Sequence, residues 1–263
     1  MVSSAVPTLE LYGLASRITL ELTGSRSDEL RPALETVWSR CLKPIPGAQQ
    51  AASVSVQLDD PRPDKDPGYA LAAALQRTTQ DVTHSLIKSQ AGRLLMFHGG
   101  ACADPNTGAT VAYVAAGGMG KTTLSRLLGR QLGYITDETV GITLDGGICP
   151  YPKPLSIRPA LYTGLKRETS PDDLGLLPAP ANPWLRSLVL LRREDDHVGP
   201  PVAEELDLAD AIVALAPESS SLSSLDKPLH LLADLIERIG PVRRWHYSEA
   251  EQLAPLLAGA VAS

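Results

Sequence analysis

The stretch ATVAYVAAGGMGKTTLSRLL, from Ala109 to Leu128, leaves few options for the chain around it. Its first half is apolar and β-branched, as in a buried strand, and Leu124, Leu127, Leu128 and Leu132 recur at helical spacing. Gly117, Gly118 and Gly120 lie between the two. Such a turn aims several backbone N–H groups at one anion, and the helix N-terminus adds its dipole. Lys121 is placed to bring a point charge to the outer phosphates, and the Thr122 hydroxyl can ligate Mg²⁺. The usual spacing, G-x-x-x-x-G-K-[ST], would place glycine at Ala115. Alanine fits there if φ stays negative, with Gly117 expected to supply the lost freedom. The candidate phosphate-binding residues are Ala116, Gly117, Gly118, Met119, Gly120, Lys121, Thr122 and Thr123. A plain glycine-rich turn with a surface lysine accounts for the glycines but not for Lys-Thr-Thr opening an amphipathic helix.

An acidic pair, Asp137 and Glu138, follows the next apolar segment, YIT. Right-handed crossover makes that strand a close neighbour of the loop's own strand, with Asp137 in reach of a metal or the terminal phosphate. Neighbours on a strand point to opposite faces, so one of the pair contacts the metal unless the strand has ended. The metal candidates are Thr122, Asp137 and Glu138. A solvated strand end is the plainer reading for Glu138. The short interval from Lys121 to Asp137 differs from motor and transporter ATPases, whose acidic strand comes much later. No [NT]-K-x-D string occurs, so the guanine-reading GTPases are demoted too.

Composition narrows the class. The formal charge of −6 argues against a nucleic-acid or anionic-membrane binder. With 43% hydrophobic residues but one phenylalanine, the core must be largely aliphatic. Cys41, Cys102 and Cys149 form no C-x-x-C pair and read as reduced thiols. No targeting signal and no run of about 18 apolar residues is visible, so a cytoplasmic protein without a membrane span is expected.

Along the chain, LYGLASRITLEL reads as a strand, SDELRPALETVWSRC as a helix and ASVSVQL as a strand. DDPRPDKDPG reads as a loop, and residues 69–90 as a helix stopping at Gly92. LLMFHGGACA, ATVAYVAA and YITDETVGITL read as strands, with turns at DPNTG and DGG and a helix end at Gly133. Further on, CPYPKPLSIRP is extended, TSPDDLGLLPAPANP reads as a mobile loop and SSSLSS as a linker. RSLVLL and VRRWHY read as strands, and DLADAIVALA and HLLADLIERIG as helices. SEAEQLAPLL opens with capping-box spacing from Ser248 to Glu251.

The order FHGG, AAGGMGKTTL, GYITDETVGI, YPKPLSIRP resembles the HPr kinase/phosphorylase superfamily, and more closely its small HPr-kinase-related members. The likeness covers about residues 94–160 and extends weakly through VRRWHYSEAEQLAPLL. It implies an α/β fold, a P-loop core with a mixed β-sheet over 93–263, preceded by a small α+β N-terminal region over 1–92. It implies ATP and Mg²⁺ as cofactors and Asp137, His98 and Lys121 as catalytic residues. Asp137 takes the first place of the family's Asp-Asp pair, where one member acts as base, and Glu138 replaces the second. The glycine- and arginine-containing signature that follows the core in the full kinases is missing, and LYTGLKRE is no substitute. HPr itself is therefore not the expected acceptor.

His98 alone would more often be a satisfied core histidine; the family placement gives it phosphate steering or proton transfer. Lys153 and Arg158 lie in the extended segment expected beside the acidic strand, as substrate contacts or as surface charges. Arg192 and Arg193 end a strand and are weaker candidates. The expected partners are a nucleotide and a hydroxyl-bearing peptide or small-molecule acceptor, with homo-oligomers common among the relatives. The expected activity is Mg-ATP-dependent transfer to a hydroxyl such as serine. The alternative is a nucleotide-binding regulatory or partner protein without transfer.

Overall fold

The computed structural model describes residues 6–60, 66–159 and 164–261. Part of the DDPRPDKDPG loop and Leu161–Thr163 of LYTGLKRE fall outside them. The chain opens with β1 (Thr8–Gly13), β2 (Ser16–Thr23), α1 (Ser27–Val37), β3 (Gln49–Gln57) and α2 (Pro67–Gln90). Then come β4 (Leu95–Ala103), β5 (Ala109–Val114), α3 (Lys121–Leu128), β6 (Gly133–Thr136), β7 (Thr139–Ile142) and β8 (Ile148–Cys149). β9 (Leu155–Ile157), β10 (Arg167–Thr169), β11 (Trp184–Arg193) and β12 (Val202–Glu205) follow. The chain closes with α4 (Leu208–Leu215), β13 (Ser219–Ser220), α5 (Pro228–Ile239), β14 (Arg243–Tyr247) and α6 (Ala250–Gly259). It divides into two compact units, Met1–Ser89 with Lys153–Leu174, and Gln90–Pro152 with Gly175–Ser263. No described helix is long and apolar enough to cross a membrane.

The first unit holds a mixed three-stranded sheet, ordered β1-β2-β3, and the antiparallel pair β9-β10. β2 and β3 are parallel and joined through α1, as a parallel pair requires. LYGLASRITLEL is therefore a hairpin, not one strand. Its two turn residues, Leu14 and Ala15, both have positive φ, the geometry that favours Asn-Gly. Neither is a turn-forming type; Leu14 is fully buried, and packing holds the turn where local preference does not.

In the second unit a mixed sheet runs β12-β14-β11-β5-β4-β7-β8, with β6 and β13 also paired to β4. β5, β11 and β14 are mutually parallel, and β4 is antiparallel to β5. Alternation along β5 buries both faces. Ala112 and Val114 pack with Leu190, Leu215 and Leu232 on the side of α4 and α5. Val111 and Tyr113 pack with Leu124, Leu128 and Leu253 on the side of α3 and α6. The molecule is thus mixed α/β with mixed sheets.

Several local readings change. YITDETVGITL is two strands, β6 and β7, both antiparallel to β4 and broken at Asp137–Glu138. β4 lies between β5 and β6, so the acidic segment is next but one to the loop strand. α3 ends at Leu128 with Gly129 as cap, whereas Gly133 starts β6, where a Cβ would meet the Pro178 carbonyl oxygen at 2.5 Å. The SSSLSS linker contributes β13, whose Ser219 and Ser220 pair with Phe97 and Met96. Ser248 makes no capping box: α6 starts from Glu249 without a side-chain cap. In the Pro-rich loop, Leu176 is buried and the Leu177 N–H donates to the Gly129 carbonyl at 2.6 Å.

Gly100 faces Tyr113 across the β4–β5 pair, and a Cβ there would lie 2.2 Å from the ring. Tyr113 is fully buried and its hydroxyl bonds Ser125 of α3, so the ring has nowhere to move. Gly100→Ala should cost about 3 kcal/mol, the upper end of ordinary overpacking. Urea denaturation reads this as a lowered midpoint; an unchanged midpoint contradicts the packing described.

Candidate functional site

The glycine loop, Ala115 to Gly120, leaves the carboxyl end of β5 and enters α3 directly. Gly118 and Gly120 both sit at φ +86, a region where an L side chain is strained, and Gly120 is the N-cap of α3. Ala115 is buried and lies outside the positive-φ set, so alanine suffices there. Gly117 also lies outside that set; the conformational freedom is used at Gly118 and Gly120 instead. The Tyr247 hydroxyl, at the end of β14, donates to the Met119 carbonyl and pins the loop from the side. Burial pushes its pKa up to about 12, so it remains a donor.

Lys121 is buried at 7% exposure, not a surface lysine. Its Nζ donates to the carbonyls of Ala115 at 2.6 Å and Ala116 at 2.9 Å, folding the side chain back under the loop. Thr122 Oγ1 donates to Asp137 Oδ2 at 2.8 Å. Asp137 is 2% exposed, and its Oδ1 accepts from the Tyr134 hydroxyl at 3.1 Å. Burial first, and then the neighbouring Asp137, holds the Tyr134 hydroxyl well above the usual tyrosine range, so it stays protonated and donating.

The chain bend after β6 separates the acidic pair. The Gly99 N–H donates to the Glu138 carbonyl at 3.1 Å, while the Glu138 side chain stays partly exposed. Glu138 Oε1 lies 3.7 Å from His98 Nε2, and Glu218 Oε2 lies 3.6 Å from His98 Nδ1. Glu218 is brought there by β13, whose pairing with Phe97 sets it beside the next residue of β4.

Of the residues singled out in the sequence, the fold brings together the loop, Lys121, Thr122 and Asp137, and sets His98 against Glu138. Thr123 is exposed on the first turn of α3. Lys153 and Arg158 belong to the first unit, where Lys153 is buried and donates to the Pro154 carbonyl. The expected neighbour of the acidic segment is realised at Tyr151, whose N–H donates to the Ile135 carbonyl of β6. Tyr134, Tyr247 and Glu218 had no sequence signal. The two tyrosines look like ordinary core aromatics until their hydroxyls are placed.

Among the described residues no group of three or more His, Cys, Asp or Glu side chains is arranged to hold a metal. Thr122 and Asp137 offer two hard oxygen donors in contact, the type that suits Mg²⁺ completed by water and phosphate oxygens.

No family model and no curated relative matches the chain. Among solved structures it is similar to the HPr(Ser) kinase/phosphatase from Coxiella burnetii, at 13% identity. The alignment covers 64% of this chain and 93% of that one, with a TM-score of 0.31. A likeness that loose assigns no residue a role, and the roles below rest on geometry and chemistry.

Proposed function

We propose that the glycine loop is a P-loop that binds a nucleoside triphosphate, ATP, with Mg²⁺. We further propose that the chain transfers the terminal phosphoryl group to a hydroxyl of a peptide, protein or small molecule. The observation that carries this reading is the linked set of loop, Lys121, Thr122 and Asp137 at one end of β5. In it, the backbone N–H groups of the loop and the α3 N-terminus receive phosphate oxygens, and Lys121 adds the counter-charge. Thr122 and Asp137 would hold the cation. Bound Mg²⁺ supplies neutralisation of phosphate charge.

The roles within the acidic pair follow from burial. Both Asp137 oxygens accept hydrogen bonds inside the protein, which suits holding a cation better than taking a proton from an acceptor. Glu138 is more open and faces His98. We therefore give Glu138 the acceptor side: its carboxylate takes the hydroxyl proton as the oxygen attacks phosphorus and the bond to the leaving diphosphate breaks. Cys41, Cys102 and Cys149 are free thiols, and ATP is a cytoplasmic resource, so the cytoplasm is the compartment we propose.

The purified chain should move label from γ-³²P-ATP to a hydroxyl acceptor only with Mg²⁺ present, read by testing serine-containing peptides and small alcohols. Nucleotide binding without transfer to any acceptor, or to water, favours a regulatory nucleotide-binding protein instead.

A further inference from the structure

The parallel strands β5, β11 and β14 end at one edge of the sheet, in register from Val114 to Leu190 and from Leu190 to Arg244. Ligands of open α/β sheets bind in the crevice outside such carboxyl ends. A cleft of 180 Å³ lies there, lined by Gly120, Thr123, Arg193, Tyr247, Glu249 and Glu251 among others. Each strand contributes: the glycine loop and α3 follow β5, Arg193 closes β11, and Tyr247 through Glu251 end β14 and begin α6. A complete small-molecule site occupies about 300–1,000 Å³, so this cleft is sized for part of a ligand whose remainder lies outside it.

Its chemistry says which part. Arg193 Nε donates to the Ser248 carbonyl at 2.9 Å, which fixes the guanidinium against the wall, and Nη2 lies 3.6 Å from Asp195. A held guanidinium is a flat cation on which a heteroaromatic ring stacks. Glu249 and Glu251 are exposed at the start of α6. Two carboxylates repel phosphate and accept from hydroxyl donors, and a vicinal diol offers two such donors. Phosphates therefore belong on the Lys121 side of the loop, and a neutral, hydroxyl-bearing ring system on the Thr123 side.

We propose that this cleft is the nucleoside subsite, with Glu249 and Glu251 accepting from the ribose hydroxyls and Arg193 against the base. The proposal rests on the P-loop reading above. It predicts that nucleoside recognition and phosphate recognition are separable.

Calorimetric titration with three magnesium complexes tests it: ATP, inorganic tripolyphosphate and 2′,3′-dideoxy-ATP. Wild type should bind ATP at least about tenfold more tightly than tripolyphosphate, the scale of losing hydrogen bonds to charged groups. The double variant Glu249→Gln, Glu251→Gln should shrink that advantage to the part that Arg193 supplies against the base, and should bind tripolyphosphate no more weakly than wild type, since two repelling charges are gone. In wild type, 2′,3′-dideoxy-ATP should behave as ATP does in the variant. Both substitutions are isosteric and exposed, so folding is not at stake. An ATP advantage undiminished in the double variant, or none in wild type, overturns the subsite and leaves the P-loop reading standing. Failure of wild type to bind tripolyphosphate or ATP at all removes the P-loop reading itself.

Discussion

Asp137→Asn is expected to lower phosphoryl transfer by at least about 10²-fold, and to weaken ATP binding only in its Mg²⁺-dependent part. The amide has the carboxylate's shape, so the buried site keeps its packing, and one oxygen still accepts a hydrogen bond. What disappears is the charge that Thr122 and Tyr134 now solvate. Glu138→Gln is expected to behave differently: Mg-ATP binding stays normal, because this side chain lies beside His98 while Thr122 bonds Asp137. Transfer falls nonetheless, by the ~10²–10⁴-fold associated with losing a general base. The measurement is single-turnover transfer for both variants at saturating Mg-ATP, beside binding titrations with and without Mg²⁺. If Glu138→Gln loses the Mg²⁺-dependent binding and Asp137→Asn keeps it, the two roles are reversed. If neither change affects transfer, the acidic pair is structural and the kinase reading fails.

What could be read in the chain and what could not divide along the range of the interactions. The strand, glycine loop and helix around Lys121 follow from local spacing, and the structure places them as such. Asp207 capping α4 and Gly240 ending α5 are equally local. The break at Asp137–Glu138 is not: the β-branched residues on both sides of the polar run Thr136–Thr139 read as one strand. It exists because β4 offers its two halves to two different partners. For the same reason Glu218 was invisible: a Ser-rich stretch pairs with β4 only through long-range register. The turn at Leu14–Ala15 has none of the residues that announce a turn and depends on burying Leu14. The Ser248–Glu251 spacing had the right letters, but α6 begins one residue too late to use them.

Lys121→Met should lower Mg-ATP affinity by about 10- to 10²-fold, since a charged hydrogen-bonding partner of about 1.5–3 kcal/mol is lost where no water can replace it. Methionine is the informative substitution because Lys121 is buried. It fills the space of the aliphatic stem and removes only the ammonium, whereas alanine would add a cavity. The Ala115 and Ala116 carbonyls lose their donor, so stability should also fall, by about 1–3 kcal/mol if the buried Ala115 oxygen finds no substitute. The exposed neighbourhood of Ala116 lets water reach its oxygen, which keeps the loss toward the lower end. Lys121→Arg separates charge from shape: a planar fork does not fold back under the loop as a single ammonium does, so it should restore little affinity. Titration with Mg-ATP and with Mg-tripolyphosphate, beside thermal denaturation, reads the effects independently. Unchanged affinity in Lys121→Met, with the fold intact, would mean that the lysine ties the loop together and that phosphate binds elsewhere or not at all.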